Sequence, residues 1–159
     1  MKKNGQAWGF DLAIAVSIFL FGAIFFYFYA LNYSSTGDEF KSLYEEGDFI
    51  AESLLSDGYP VNWNENNVAR IGILSNENIN STKVERFYNL ASGNYAHTKS
   101  LFNIRSNYYV NFSVPINLSG GTAIQLVGME SASSKNLVSV TRVTSYNGEI
   151  VTLKIGVWN

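Results

Sequence analysis

Residues 12–31 contain no charged side chain. Leu, Ala, Ile, Val, Phe and Tyr fill those twenty positions, interrupted only by Ser17 and Gly22. At about 1.5 Å per residue such a helix covers roughly 30 Å, the hydrocarbon thickness of a bilayer. A helix at the surface of a small globule would need a polar face, and this run has none. One membrane crossing is expected over 12–31. Lys2 and Lys3 precede the run, whereas Asp38 and Glu39 are the first charges after it. The bias of basic residues toward the cytoplasm then keeps the N-terminus inside and exports the rest. Tyr27, Tyr29 and Tyr33 fall at the outer end, where amphipathic rings prefer the headgroup level. A cleavable secretory signal has a shorter apolar stretch followed by small residues. This one ends in aromatics, so removal after it is not expected.

The rest of the composition narrows the chemistry. Of 159 residues only 15% are charged, against about 25% in ordinary soluble domains. A formal net charge of −2 and an isoelectric point near 5.4 do not suit a nucleic-acid partner, which calls for a basic patch. No cysteine is present, so disulfides, thiolate catalysis and cysteine-ligated metals are excluded. His97 is the single histidine, which rules out a two-histidine metal site within one chain. No Gly-x-Ser-x-Gly elbow occurs, and Gly120-Gly121 lacks the Lys-Ser/Thr of a phosphate loop. Glu45 and Glu46 have the spacing of a solvated helix face. No catalytic residue, cofactor or metal is expected, and the chain is not read as an enzyme.

Ahead of the run stands Lys2-Lys3-Asn4-Gly5-Gln6-Ala7-Trp8-Gly9-Phe10-Asp11. Two cations, a Gly-Gln pair and one acid directly before an apolar helix resemble the class III signal peptide of archaeal type IV pilin-like proteins. The resemblance implies cleavage between Gly5 and Gln6 by a prepilin peptidase on the cytoplasmic side, with the helix left attached. Where that family continues Gln-x-Ser-x-Glu, this chain has Trp8 in place of the serine and its acid, Asp11, one position late. Two readings of Asp11 stand side by side. It is a good helix N-cap, and in the resembled family the equivalent acid pairs with the new N-terminal amine of a neighbouring subunit.

Beyond the membrane run, residues 32–57 read as an amphipathic acidic stalk. Phe40, Leu43, Tyr44, Ile50, Ala51, Leu54 and Leu55 recur mostly at three- and four-residue spacing. Ser35-x-x-Asp38 and Thr36-x-x-Glu39 have the form of capping boxes for a new helix. A single long helix through Ser56, stopped by Gly58-Tyr59-Pro60, is the preferred alternative. Residues 38–57 carry seven acids and one base, a net of −6, whereas 59–159 carry a net of +3. The stalk is thus either a solvated acidic face or one that docks on basic heads, in its own subunit or in neighbours.

Residues 58–159 are expected to form a small α+β head with short helices and an antiparallel sheet. Residues 68–74 read as a strand ending in a turn at 75–78. Thr82-x-x-Glu85 reads as the cap of a helix through Leu90 that buries Val84, Phe87 and Leu90. A second helix is expected over Tyr95–Phe102 and strands over 108–116 and 123–128. Trp63 and Trp158 are expected in the head core or against the stalk. Two alternating runs, 137–146 and 149–158, flank Asn147-Gly148, which supplies the positive φ angles of a two-residue hairpin turn. The texture of 58–63, 70–74, 80–90 and 146–158 is also similar to heads of membrane-anchored archaeal pilin-like proteins. Asn32, Asn80, Asn111 and Asn117 lie in Asn-x-Ser/Thr sequons. Asn80 and Asn117, read as loop residues, are the candidate N-glycosylation sites.

These readings converge on a structural subunit of an archaeal type IV pilus-like surface filament. Phe19, Phe21, Phe25, Phe26 and Phe28 would give its helices large contact area in a bundle. Implied partners are membrane lipid, copies of itself or related pilins, the peptidase and the assembly machinery. The alternative is a single-pass anchored extracellular binding module that does not polymerise. A third is a subunit of a larger membrane enzyme.

Overall fold

The computed structural model describes residues 4–131 and 136–159, with side chains left out at 4–8 and 32–36. Lys2 and Lys3 lie outside the described residues, as do the side chains of Ser35 and Thr36, on which the capping boxes depend. Helix α1 runs Asn4–Leu54 without interruption, so no new helix starts in the thirties. The chain divides into two units, Met1–Glu39 and Phe40–Asn159. The expected stalk is therefore not a body of its own, since from Phe40 onward it belongs to the head.

The described part of the first unit, residues 4–39, is helix alone. In the second, the last turns of α1 supply Leu43, Ile50, Ala51 and Leu54 to the core, all buried. Phe40 and Tyr44, expected on the same covered face, are 41% and 52% exposed. The helix stops at Leu54, two residues short of expectation. There Leu55 N–H still reaches Ala51 O, and the Ser56 hydroxyl turns back to Ser53 O.

After α1 come β1 (Leu74–Ser75), β2 (Asn78–Ile79), α2 (Ser81–Gly93), α3 (Tyr95–Phe102), β3 (Asn107–Asn117), β4 (Ala123–Gly128), β5 (Leu137–Tyr146) and β6 (Glu149–Trp158). The sheet order is β1-β2-β5-β6-β3-β4, giving the α+β architecture expected. One pairing is parallel, β2 on β5, where an all-antiparallel sheet was expected. The β5–β6 hairpin has an unbroken ladder from Leu137 opposite Trp158 to Tyr146 opposite Glu149. Its turn has Asn147 at φ 53° and Gly148 at φ 83°. Val151, Leu153, Ile155 and Val157 point into the core, as the period of two requires. Between Asn111 and Ile116 the β3–β4 register slips, around Pro115, which has no N–H to donate to a ladder.

Residues 68–74 are not the strand their apolar content suggests. Ile71 and Ile73 are buried, but the segment satisfies its backbone on the end of α1: Ile73 N–H donates to Leu54 O at 2.9 Å and Leu74 N–H to Ser56 O at 3.0 Å. Of these residues only Leu74, the first of β1, enters the sheet. Gly72 makes this approach possible, because a Cβ there would lie 2.2 Å from the Gly58 nitrogen. Helix α2 is capped by Asn80, not Thr82. The Asn80 carboxamide oxygen accepts from Lys83 N–H, and α2 begins one residue before Thr82. Its buried face still includes Val84, Phe87 and Leu90.

Candidate functional site

The most conspicuous surface is the bare part of α1. Gly9–Leu31 has a mean hydropathy of 2.3, and none of it is buried within the protein. This is one helix long and apolar enough to cross a membrane, beginning three residues before the expected 12–31. Phe19, Phe21, Phe25, Phe26 and Phe28 are all exposed, Phe25 at 73%. Their positions spread around the helix, which leaves no polar face. Ser17, the one serine in the run, donates back to Ala13 O at 2.8 Å. That bond lowers the cost of carrying a hydroxyl in hydrocarbon. Gly5 and Gln6 lie in the first turn of α1, their side chains outside the described residues. Asp11 is exposed and lies seven residues inside α1. It is not an N-cap, which would have to stand at the helix boundary.

The acids that follow are partly consumed inside the head. Glu46 accepts the backbone N–H groups of Arg105 and Ser106. Asp48 pairs with Arg142 on β5, and the Asp57 carboxylate lies 3.7 Å from Lys83. Part of the acidic stretch thus engages the head of its own chain, Asp48 and Asp57 on basic side chains, while Asp38, Glu45 and Glu52 stay exposed. The Lys83 amine is buried and donates to Asp57 O at 2.9 Å and Leu74 O at 2.6 Å, tying the chain after α1 to α2 and β1.

A tyrosine network joins α3 to β3. The Tyr95 hydroxyl accepts Tyr108 N–H at 2.6 Å and donates to Tyr108 O at 3.0 Å. The Tyr108 hydroxyl donates to Thr98 Oγ1 at 2.6 Å, and Thr98 donates to Tyr95 O. The two rings stack at 5.1 Å, and Phe102 and Phe87 continue the cluster edge-on. Burial pushes the Tyr108 phenol well above its usual range, against a smaller opposing effect of the Thr98 bond. Burial raises Tyr95 as well. Unfolded tyrosine titrates near pH 10, so above that pH the unfolded chain has lost protons that the folded one keeps. Stability is full below pH 10 and falls as pH rises further, by about 1.4 kcal/mol per pH unit from Tyr108 alone. Urea midpoints at pH 9, 10 and 11 should show the decline, and Tyr108→Phe should flatten it.

Beside this network an open cleft of about 520 Å³ is lined by Tyr95, Lys99, Ser100, Ile104, Arg105 and Met129, among others. Lys99 Nζ reaches Asn107 Oδ1 at 3.3 Å, and the Arg105 side chain is exposed. The cleft, the tyrosine network and the buried lysine join residues distant in sequence, and no local pattern announced them. His97 is exposed on α3. Trp63 is fully buried and Trp158 nearly so, the latter against Tyr109. Among the described residues no three His, Cys, Asp or Glu side chains gather as a metal site. Asn117 is exposed but is the last residue of β3, not a loop residue. The hydroxyl of its sequon serine, Ser119, is bonded to Glu85, and the bonds from Ser119 lower the Glu85 carboxyl's pKa. Asn80, half-buried, uses both ends of its amide, on Lys83 and on Ser75.

No family model, curated protein or solved structure matches this chain. What stands is an α+β head that shares one helix with a candidate membrane span.

Proposed function

We propose that this chain is a pilin-like structural subunit, held in a membrane by α1 with its head outside and able to pack helix against helix into a surface filament. The observation that carries this reading is the division of labour along α1. One helix leaves every side of Gly9–Leu31 bare and then gives Leu43, Ile50, Ala51 and Leu54 to the head core. A plain anchor needs only a span and a tether. Here the last turns of the same helix are core elements of the head. A uniformly apolar helix is as well solvated by lipid as by copies of itself, and passing between the two exposes nothing to water. The role is structural rather than catalytic, and the partners are lipid, sister copies and the assembly machinery. Asp11, well inside the helix, is costly in hydrocarbon unless paired. An amine freed at Gln6 of a neighbour is the partner that the leader resemblance supplies.

The mature N-terminus tests this. Intact-mass and N-terminal sequencing of membrane-extracted and sheared material should find Gln6 first, with the helix retained. Met1 still in place, on material that never leaves the membrane on shearing, would favour the non-polymerising anchored module instead.

A further inference from the structure

We infer that the cleft beside α3 receives residues 38–45 of a second copy of this chain, in a head-to-stalk contact. The inference deepens the filament reading above and rests on it. Two features of the cleft select its occupant. Lys99 and Arg105 bring positive charge to it, and Ile104 and Met129, the latter 50% exposed, add apolar surface. Glu46 bonds the backbone of Arg105 without lining the cleft.

The 38–45 segment has the matching character. Phe40 and Tyr44, one helical turn apart, remain uncovered although Leu43 between them enters the core. Asp38 and Glu45 flank them, and both are exposed. Glu45 meets Lys41 only at 4.0 Å in an open position, a pairing too weak to hold it. Glu46, Asp48 and Asp57 are already engaged with this chain's own head. Asp38 and Glu45 are therefore the acids offered outward beside the aromatic pair. A stalk of one copy in the cleft of the next covers two exposed aromatics and sets acids against two cations. Because the two surfaces differ, the contact is heterologous, and such a contact builds an open filament wherever its rotation does not close a ring.

The absence of cysteine allows a clean test in the full-length chain in lipid. Tyr44→Cys and Ser100→Cys place one thiol on each surface. Under mild oxidation the double variant should give a ladder of disulfide-linked oligomers, and a mixture of the single variants should stop at dimers. Lys99→Glu with Arg105→Glu should reduce the ladder about tenfold, and Asp38→Lys with Glu45→Lys in the same chain should restore it. If amine-reactive cross-linking shows copies associated but no Tyr44-to-Ser100 disulfide forms, the docking is wrong and the filament reading survives. If only single copies are found by both reagents, both fall.

Discussion

Trp63→Ala should lower the stability of the head by about 3–5 kcal/mol, a large part of the roughly 5–15 kcal/mol that holds a domain together. Trp63 is fully buried. Its indole N–H donates to Gly72 O at 2.9 Å, and its carbonyl accepts from Arg86. The ring therefore fills the space where the chain leaving α1 meets residues 68–74, and it also satisfies a carbonyl of that segment. Truncation leaves a cavity and an orphaned acceptor together. Trp63→Phe separates the two effects. It keeps most of the packing, loses the N–H, and should cost about 1–3 kcal/mol. Urea unfolding of the full-length chain in detergent, followed by circular dichroism of the head's sheet, measures both variants. A loss below about 1 kcal/mol for the alanine variant would contradict this account of the core.

Lys83→Met should cost about 3 kcal/mol, although the replacement keeps the length and apolar character of the stem. The Lys83 side chain is only 5% exposed, and its ammonium bonds the carbonyls of Asp57 and Leu74. Methionine would leave both carbonyls without their donor inside the head. The neighbouring carboxylate matters less, because Asp57 is 54% exposed and lies 3.7 Å away. Asp57→Asn should therefore change stability by under about 1 kcal/mol. Equal losses for the two variants would mean that the ion pair, not the carbonyl bonds, is what the lysine provides. The same urea titration distinguishes them, and Lys83→Arg should recover part of the loss only if the larger head group fits.

The β5–β6 hairpin was legible in the sequence because its signals are local: Asn147-Gly148 fixes the turn, and alternation fixes the face. Helix α3 and strand β4 were found at their observed bounds for similar reasons. Residues 68–74 were misread because burial, not pairing, explains their apolar side chains. A segment covered by the end of a helix has the same composition as a strand. Asn80, Ser81 and Thr82 can each cap a helix, and only the observed bond to Lys83 N–H chooses among them. Phe40 and Tyr44 follow the period of the buried face, yet both stay exposed on either side of the buried Leu43. Periodicity gives the direction of a side chain and not whether anything lies there. The candidate site divides in the same way. A bare apolar span can be read one residue at a time, whereas a cleft built from α3, the loop after it and Met129 exists only once the chain is folded.

The place of β6 between β5 and β3 has a consequence for biogenesis. Of the six strands, the one in the middle of the longest pairings is the last to be synthesised. Until the ribosome has passed Trp158, β3 with β4 and β5 with β2 are separate ribbons that share no neighbour. Truncation anywhere in 149–158 would leave them so. The head is thus expected to leave the ribosome as an unclosed chain and to shut in one late event, so prematurely terminated products should be cleared by proteolysis rather than accumulate.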